Sequence, residues 1–270
     1  MQQLSWPVGD EFACVNFTLC PVMTQGLSVA LGARVVRVRP MEQNSLARQI
    51  TGETISLKQI TDLLREGTPV ALVECDLDEL ELGRLDLAGW RFERCCLRRA
   101  DLGGARLERT QWRSCRGAMA SFLGADLTDA VFTSCDINNA VLRSARLSGA
   151  SFTGCKLTGA DLTEAKTVET HFEETLLCGA KLTGFSFRRQ TLRRVDMSQA
   201  DLRKADFRET AFEACSLRDA MLMGARFDKA DLRGADLGGL RLVDASLYRG
   251  ATISRDQAAG LLAELGFKLG

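Results

Sequence analysis

The sequence predicts an all-β solenoid, and two observations carry that reading. Every fifth residue from Leu72 to Leu247 is hydrophobic, a series of 36 positions broken only by Gly117 and Thr167. A period of five fits neither the helix, at about 3.6 residues per turn, nor the strand, at about two. Such a series belongs to short units that cannot bury their apolar side chains alone and must stack on one another.

Read in fives, the best-formed units are Ala100-Asp101-Leu102-Gly103-Gly104, Ala160-Asp161-Leu162-Thr163-Glu164, Ala200-Asp201-Leu202-Arg203-Lys204 and Ala230-Asp231-Leu232-Arg233-Gly234. The chain resembles the pentapeptide-repeat family over about two thirds of its length. That family's pattern is a small residue, Asp or Asn, Leu or Phe, then two polar residues. The resemblance implies a right-handed, quadrilateral β-helix of about nine coils, with four pentapeptides to a coil of 20 residues. The central Leu or Phe and the small residue two before it should point inward. The flanks then make a small α+β N-terminal region and a C-terminal capping helix.

A four-sided coil places residues 20 apart above one another, and the residue types sort accordingly. Phe92, Trp112, Phe132, Phe152, Phe172 and Phe212 share one column; Cys75, Cys95, Cys115, Cys135, Cys155 and Cys215 share another. Charges alternate along outward columns: Glu173, Arg193, Glu213, Arg233; Glu169, Arg189, Glu209, Lys229; and Asp86, Arg106, Asp126, Arg146. At a strand spacing of roughly 4.8 Å these columns become ladders of opposite charge, and nine coils make a rod of roughly 43 Å. The ladders set register, because a slip of one coil brings like charges together.

In chain order, residues 1–50 form a small non-repeating module, with Phe12–Cys20 and Ser28–Arg39 reading as strands. Residues 51–70 form an N-terminal capping helix, with Ile60, Leu63 and Leu64 on one face of Ser56–Glu66. Residues 71–250 form the β-helix. Large residues at small inward sites (Leu80, Leu85, Trp90) predict distorted opening coils, and Phe185 with Gln190 predicts a local bulge. Residues 251–270 form a capping or dimerisation helix, opened by a capping box at Ser254-Arg255-Asp256-Gln257 and stopped at Gly266. Ends need covers because an open β-helix exposes strand edges. This helix lids the last coil or pairs with its copy in a homodimer, with Leu261, Leu262, Leu265 and Phe267 as the cap or dimer residues. In the topoisomerase-protecting branch of the family a similar helix dimerises.

Composition excludes several functions. Lys+Arg and Asp+Glu both total 35 in 270 residues, so overall charge selects no partner. One His, one Tyr and three Trp leave little for catalysis. No Ser-His-Asp set, acid/base pair or Gly-rich phosphate loop is recognisable, so the chain reads as a non-enzyme without catalytic, cofactor or metal site. The ten cysteines lack a CxxC pair; a straight column of thiols makes no tetrahedral site, and buried Cys fills the slot of Ala. His171 reads as solvated, and Asp101, Asp161 and Asp201 as serving turns. Unpaired thiols, without a signal peptide or membrane span, point to a bacterial cytoplasmic protein; export by a specialised secretion system needs no cleavable signal.

Charge is banded. Residues 91–116 carry eight Arg against three acids, and residues 188–208 seven bases against three acids. After the ladders are counted, Arg98, Arg99, Arg188, Arg203, Lys204 and Arg208 remain as candidate surface-binding residues. Without interleaved aromatics, nucleic acid is disfavoured as the partner. The expected function is a protein-binding scaffold, secretion-linked by its repeat-plus-N-terminal layout. The alternative is a DNA-mimicking modulator of DNA gyrase or topoisomerase IV.

Overall fold

The computed structural model describes residues 48–240, 245–264 and 266–268. The strand readings at Phe12–Cys20 and Ser28–Arg39 lie outside them, as does Leu265.

A nine-stranded, wholly parallel sheet forms one side of the solenoid, in the order β1 to β9. The strands are β1 (Gln49–Thr51), β2 (Ala71–Val73), β3 (Arg91–Glu93), β4 (Gln111–Arg113), β5 (Val131–Thr133), β6 (Ser151–Thr153), β7 (His171–Glu173), β8 (Thr191–Arg193) and β9 (Ala211–Glu213). From β2 to β9 each strand is paired with the residue 20 further on, as in Phe92 with Trp112 and Phe132 with Phe152. Three further sides are joined by single bridges at the same spacing, such as Cys96 to Arg116, Asp101 to Ser121 and Arg106 to Asp126. One side of a coil is therefore five residues, and the expected quadrilateral β-helix is the observed fold. On the second side β10 (Cys215–Ser216) pairs with β11 (Ala235–Asp236).

The inward assignment follows from burial. The central residues and the small residues two before them form one continuous core, from Leu72 and Cys75 to Leu237 and Leu240. Leaving water contributes about 1.5–3 kcal/mol for each large side chain before entropy is subtracted. The second residue after each centre has φ near +50 to +60° whether or not it is glycine, as at Arg94, Met119 and Lys204. That backbone turns the corner, and it explains why Gly, Asn and Asp recur there. Asp before the centre tightens the turn: Asp101 accepts from the Gly103 amide at 2.9 Å, Asp161 from Thr163 at 3.0 Å and Asp201 from Arg203 at 3.2 Å.

Both ends are closed. Helix α1 (Leu57–Arg65) starts at a capping box in which Ser56 accepts from the Gln59 amide and Gln59 accepts from the Ser56 amide. β1 pairs with β2 at a spacing of 22, Gln49 to Ala71, and Thr54 bridges Asp76. Residues 49–70 are thus an opening coil in which α1 replaces two sides. Ile60 and Leu63 enter the common core. At the other end, α2 (Arg255–Glu264) carries the expected capping box, with Gln257 accepting from the Ser254 amide at 2.7 Å and Ser254 from the Gln257 amide at 3.1 Å. Gly266, at φ +86°, follows it.

Three expectations need correction. The opening coils are not distorted: Leu80, Leu85 and Trp90 keep the regular turn bonds to Leu77, Leu82 and Leu87. The series of fives fails at its last member. Helix η1 (Ala245–Tyr248) shifts the phase by one residue, so the Leu232 amide bonds Thr252, and Tyr248 rather than Leu247 stacks on Phe227 at 5.0 Å. Burial there pushes the Tyr248 hydroxyl up to about 12. Finally, coil six keeps its register towards coil seven, with Phe187 bonding Asp206. The disturbance expected at Phe185 falls instead on the contact with the coil before it.

Candidate interaction surface

The inward chemistry is consumed by packing. Phe92, Trp112, Phe132, Phe152 and Phe172 form one stack, with consecutive centroids 4.0, 5.4, 4.8 and 5.2 Å apart and planes within 12°. Leu192 ends it, and Phe212 tilts instead towards Phe207 at 5.5 Å. A second stack, Phe187–Phe207–Phe227–Tyr248, runs along another side with spacings of 4.8, 4.9 and 5.0 Å. The 20-residue spacing of Phe187, Phe207 and Phe227 is visible in the sequence and identifies that stack.

The cysteine column is buried and reduced among the described residues. Cys95, Cys115 and Cys215 each donate to a carbonyl of the coil before, Leu72, Phe92 and Leu192, all at 3.3 Å. Thr170, Thr175 and Thr210 occupy the same kind of slot and donate to Leu147, Phe152 and Phe187 at 2.8, 3.0 and 2.8 Å. A small side chain with one donor is what the slot holds. Hydrogen bonding to Cys135 and burial push the Cys115 and Cys155 thiols up, which keeps them neutral and poor nucleophiles. Asp76, Asp78 and Cys96 converge on the second side. Their acceptors are already engaged, however: Asp78 takes the Arg98 amide at 2.7 Å and its guanidinium at 2.8 Å, and Asp76 takes the Asp78 amide at 3.0 Å. His171 is exposed on β7.

Function therefore falls to the outer surface. Five of the six cations read as unpaired are in fact paired. Arg98 meets Asp78 at 2.6 Å, Arg99 meets Glu79, Arg188 meets Glu209 at 3.2 Å, Arg203 meets Asp201 at 2.7 Å and Arg208 meets Asp206 at 2.5 Å. Lys204 alone of the six makes no ion pair among the described residues. Long alternating columns do not reveal these contacts. Arg203 and Arg208 fold back on the Asp two residues earlier in their own pentapeptide, Arg188 reaches diagonally, and Arg98 and Arg99 form isolated rungs. The charge ladders are made rung by rung: Arg106–Asp86 at 2.8 Å, Arg146–Asp126 at 3.2 Å, Arg189–Glu209 at 3.0 Å and Arg193–Glu213 at 2.8 Å. Arg233 leaves its ladder for Asp231 at 2.6 Å.

The C-terminal residues divide. Gln257 donates to the Leu232 and Ala235 carbonyls at 2.7 and 2.6 Å, and Glu264 accepts from the Gly239 amide at 3.2 Å. Leu261 packs against the core. These contacts make α2 a lid on the last complete coil. Leu262 and Phe267 are exposed.

Such a molecule is a repeat scaffold whose outer face, rather than a cleft, meets its partners. Family models described as a pentapeptide repeat region match residues 105–182 and 125–202, and one described as pentapeptide repeats (8 copies) matches residues 201–239. The chain belongs to the pentapeptide-repeat family. Among solved structures it is similar to full-length QnrB1, a plasmid-mediated fluoroquinolone resistance protein, at TM-score 0.62 and 22% identity, over 81% of this chain and 100% of that one. A trypsin-treated point variant of QnrB1 matches at TM-score 0.53 and 23% identity, over 75% of this chain and 98% of that one. At such identity the likeness is one of fold. No curated protein matches the chain in sequence. No helix among the described residues is long and apolar enough to cross a membrane.

Proposed function

We propose that the chain is a non-catalytic scaffold that works by binding another protein along the outer surface of its coils. The observation that carries this reading is the division of labour in the pentapeptide. Rings, thiols and buried hydroxyls all serve the core, and what remains outside is a periodic array of mutually paired charges. Arg and Asp held in fixed geometry on a rigid surface suit recognition of a partner of complementary pattern. A secretion-linked role is the leading form of this reading. It rests on the non-repeating residues 1–47 ahead of the coils.

The second reading, modulation of DNA gyrase or topoisomerase IV by DNA mimicry, is favoured by the fold shared with QnrB1 and by a C-terminal helix with Leu262 and Phe267 exposed for a second copy. Electrostatics oppose it. Duplex DNA carries a charge about every 1.7 Å, so a mimic of roughly 43 Å needs roughly 25 negative charges. Residues 71–250 hold 27 bases and 27 acids, and the ion pairs distribute both signs over the sides.

The deciding assay is supercoiling by purified gyrase with a quinolone and the full-length chain. The scaffold reading expects no rescue, and concentration-dependent rescue establishes topoisomerase modulation instead. In parallel, crosslinking in the native host should trap a protein on the coils, and charge reversal at Arg203 and Lys204 should weaken the capture. Crosslinks confined to nucleic acid would overturn protein binding.

A further inference from the structure

The backbone ladder fails on one side of one step. Between coils four and five, the fourth side and its corners are held by Ser144 to Thr163, Lys166 to Ala145, Leu147 to Lys166, Gly149 to Val168 and His171 to Ala150, each from amide to carbonyl. The same five positions two coils further on are Gly184 to Arg203, Asp206 to Phe185, Phe187 to Asp206, Arg189 to Arg208 and Ala211 to Gln190. At the step between them none of the five forms among the described residues. The amides of Glu164, Thr167, Glu169, Ser186 and Thr191 have no backbone partner there, and the turn bond from Thr170 to Thr167 is missing too. Beyond the corner, β7 and β8 retain only the Glu173–Arg193 pairing. The second and third sides of the step stay closed, through Leu157 to Leu176, Gly159 to Cys178 and Leu162 to Lys181.

The side chains explain the gap. On the fourth side the small inward column reads Ala105, Ala125, Ala145, Ala165, then Phe185, then Ala205. The central column reads Leu107, Leu127, Leu147, Thr167, then Phe187 and Phe207. Coil six thus carries two rings, 4.6 Å apart, where its neighbours carry Ala with one large residue. Coil five, just before it, offers only the half-buried Thr167 to meet them. An overfilled site above an underfilled one parts the coils, because close-packed side chains transmit such strain to the backbone. The aromatic stack also changes sides here, through Phe172–Phe185 at 5.7 Å and Phe185–Phe187. Val168, 67% exposed, marks the lip.

We propose that this seam is a built-in opening point that divides the solenoid into two separately opening blocks, coils one to five and coils six to nine. Local opening is set by the backbone bonds and apolar contacts that hold a segment, and this step lacks both on one side. The scaffold gains one adjustable step while two sides remain clamped.

Amide hydrogen exchange followed by NMR on the full chain tests this. Thr167, Glu169, Ser186 and Thr191 should exchange at least about 10-fold faster than Leu147, Gly149, Lys166 and His171, their counterparts one coil earlier. Equal protection in the wild type overturns the proposal without any variant. The paired substitution Thr167→Leu with Phe185→Ala restores the neighbouring columns and should slow exchange at the four seam amides by a similar factor. A folded double variant with unchanged exchange there would overturn the packing cause. With denaturant, coils one to five and six to nine should show distinct opening free energies; one common value would sink the two-block claim.

Discussion

Coils one to five and coils six to nine follow one backbone rule with different interiors. In the first block the rings stack on the first side, from Phe92 to Phe172, and four of the buried small sites beside them are Cys. In the second block the rings stack on the fourth side, from Phe187 to Tyr248, and the cysteine column continues as Thr175, Val195 and Cys215. Each stack is internally regular, and the ladder opens where one gives way to the other. A solenoid tolerates such a change because each coil packs only on its neighbours, so a mismatch is confined to one step. It also shows that the pentapeptide rule constrains residue class at each site, whereas coil-to-coil fit depends on matching shapes 20 residues apart.

The largest expected effect tests the shared rule. Phe152→Asp places a carboxylate in the middle of the first stack and should abolish cooperative folding of that block, whereas Thr153→Asp, one residue on and exposed, should stay within about 0.5 kcal/mol. Equal melting temperatures for the two would refute the inward and outward assignment. Next, Phe132→Ala and Phe207→Ala should each cost about 3–5 kcal/mol, and hydrogen exchange should rise chiefly in the block that carries the change. If either variant loosens all nine coils alike, the blocks are one unit.

Gly117→Leu comes third. Gly117 interrupts the hydrophobic series, and a Cβ there would approach Ile137 Cγ2 to 3.2 Å, so the neighbours have closed over it. Restoring the consensus should destabilise by about 1–3 kcal/mol through overpacking; a rise in urea midpoint would mean the site is a void.

Acid should weaken the second block through its Asp–Arg turns. The guanidinium of Arg203 holds Asp201 down to about 2, and Arg208 and Arg233 lower Asp206 and Asp231 likewise. Because these folded pKa values lie below the unfolded ones, their contribution is present above pH of about 4 and is lost as pH falls towards 2. Asp201→Asn should therefore lower the urea midpoint at pH 7 and leave it unchanged near pH 2. The smallest change is expected of Met119→Gly. Met119 is exposed at φ +62°, and glycine there relieves left-handed strain while adding chain entropy, a net gain within about 1 kcal/mol. A loss of midpoint would show that Met119 packs against its surroundings.

Much of this was legible beforehand. The period of five and the sorting at 20 identified the coil, the first ring stack, the inward Cys slots, the turn-serving Asp residues and both capping boxes. Those features depend on contacts repeated at one spacing, so each is announced many times along the chain. The candidate binding residues fared differently. Arg203 and Arg208 looked free because their partners lie on the same pentapeptide, and Arg188 because its partner is diagonal. Long, rotatable cations choose among several carboxylates at similar distance, and a column count does not record that choice.

By itself, then, the sequence determined the fold class, the coil length, the caps and which residues face inward, since burial of a periodic apolar series leaves one arrangement open to it. Only the tertiary structure decided which charges pair, that η1 slips the phase to bring Tyr248 under Phe227, that α2 lids the last coil through Gln257, and that the ladder parts at Phe185. Those outcomes turn on the shapes of particular side chains meeting across coils, which a rule about residue class does not contain.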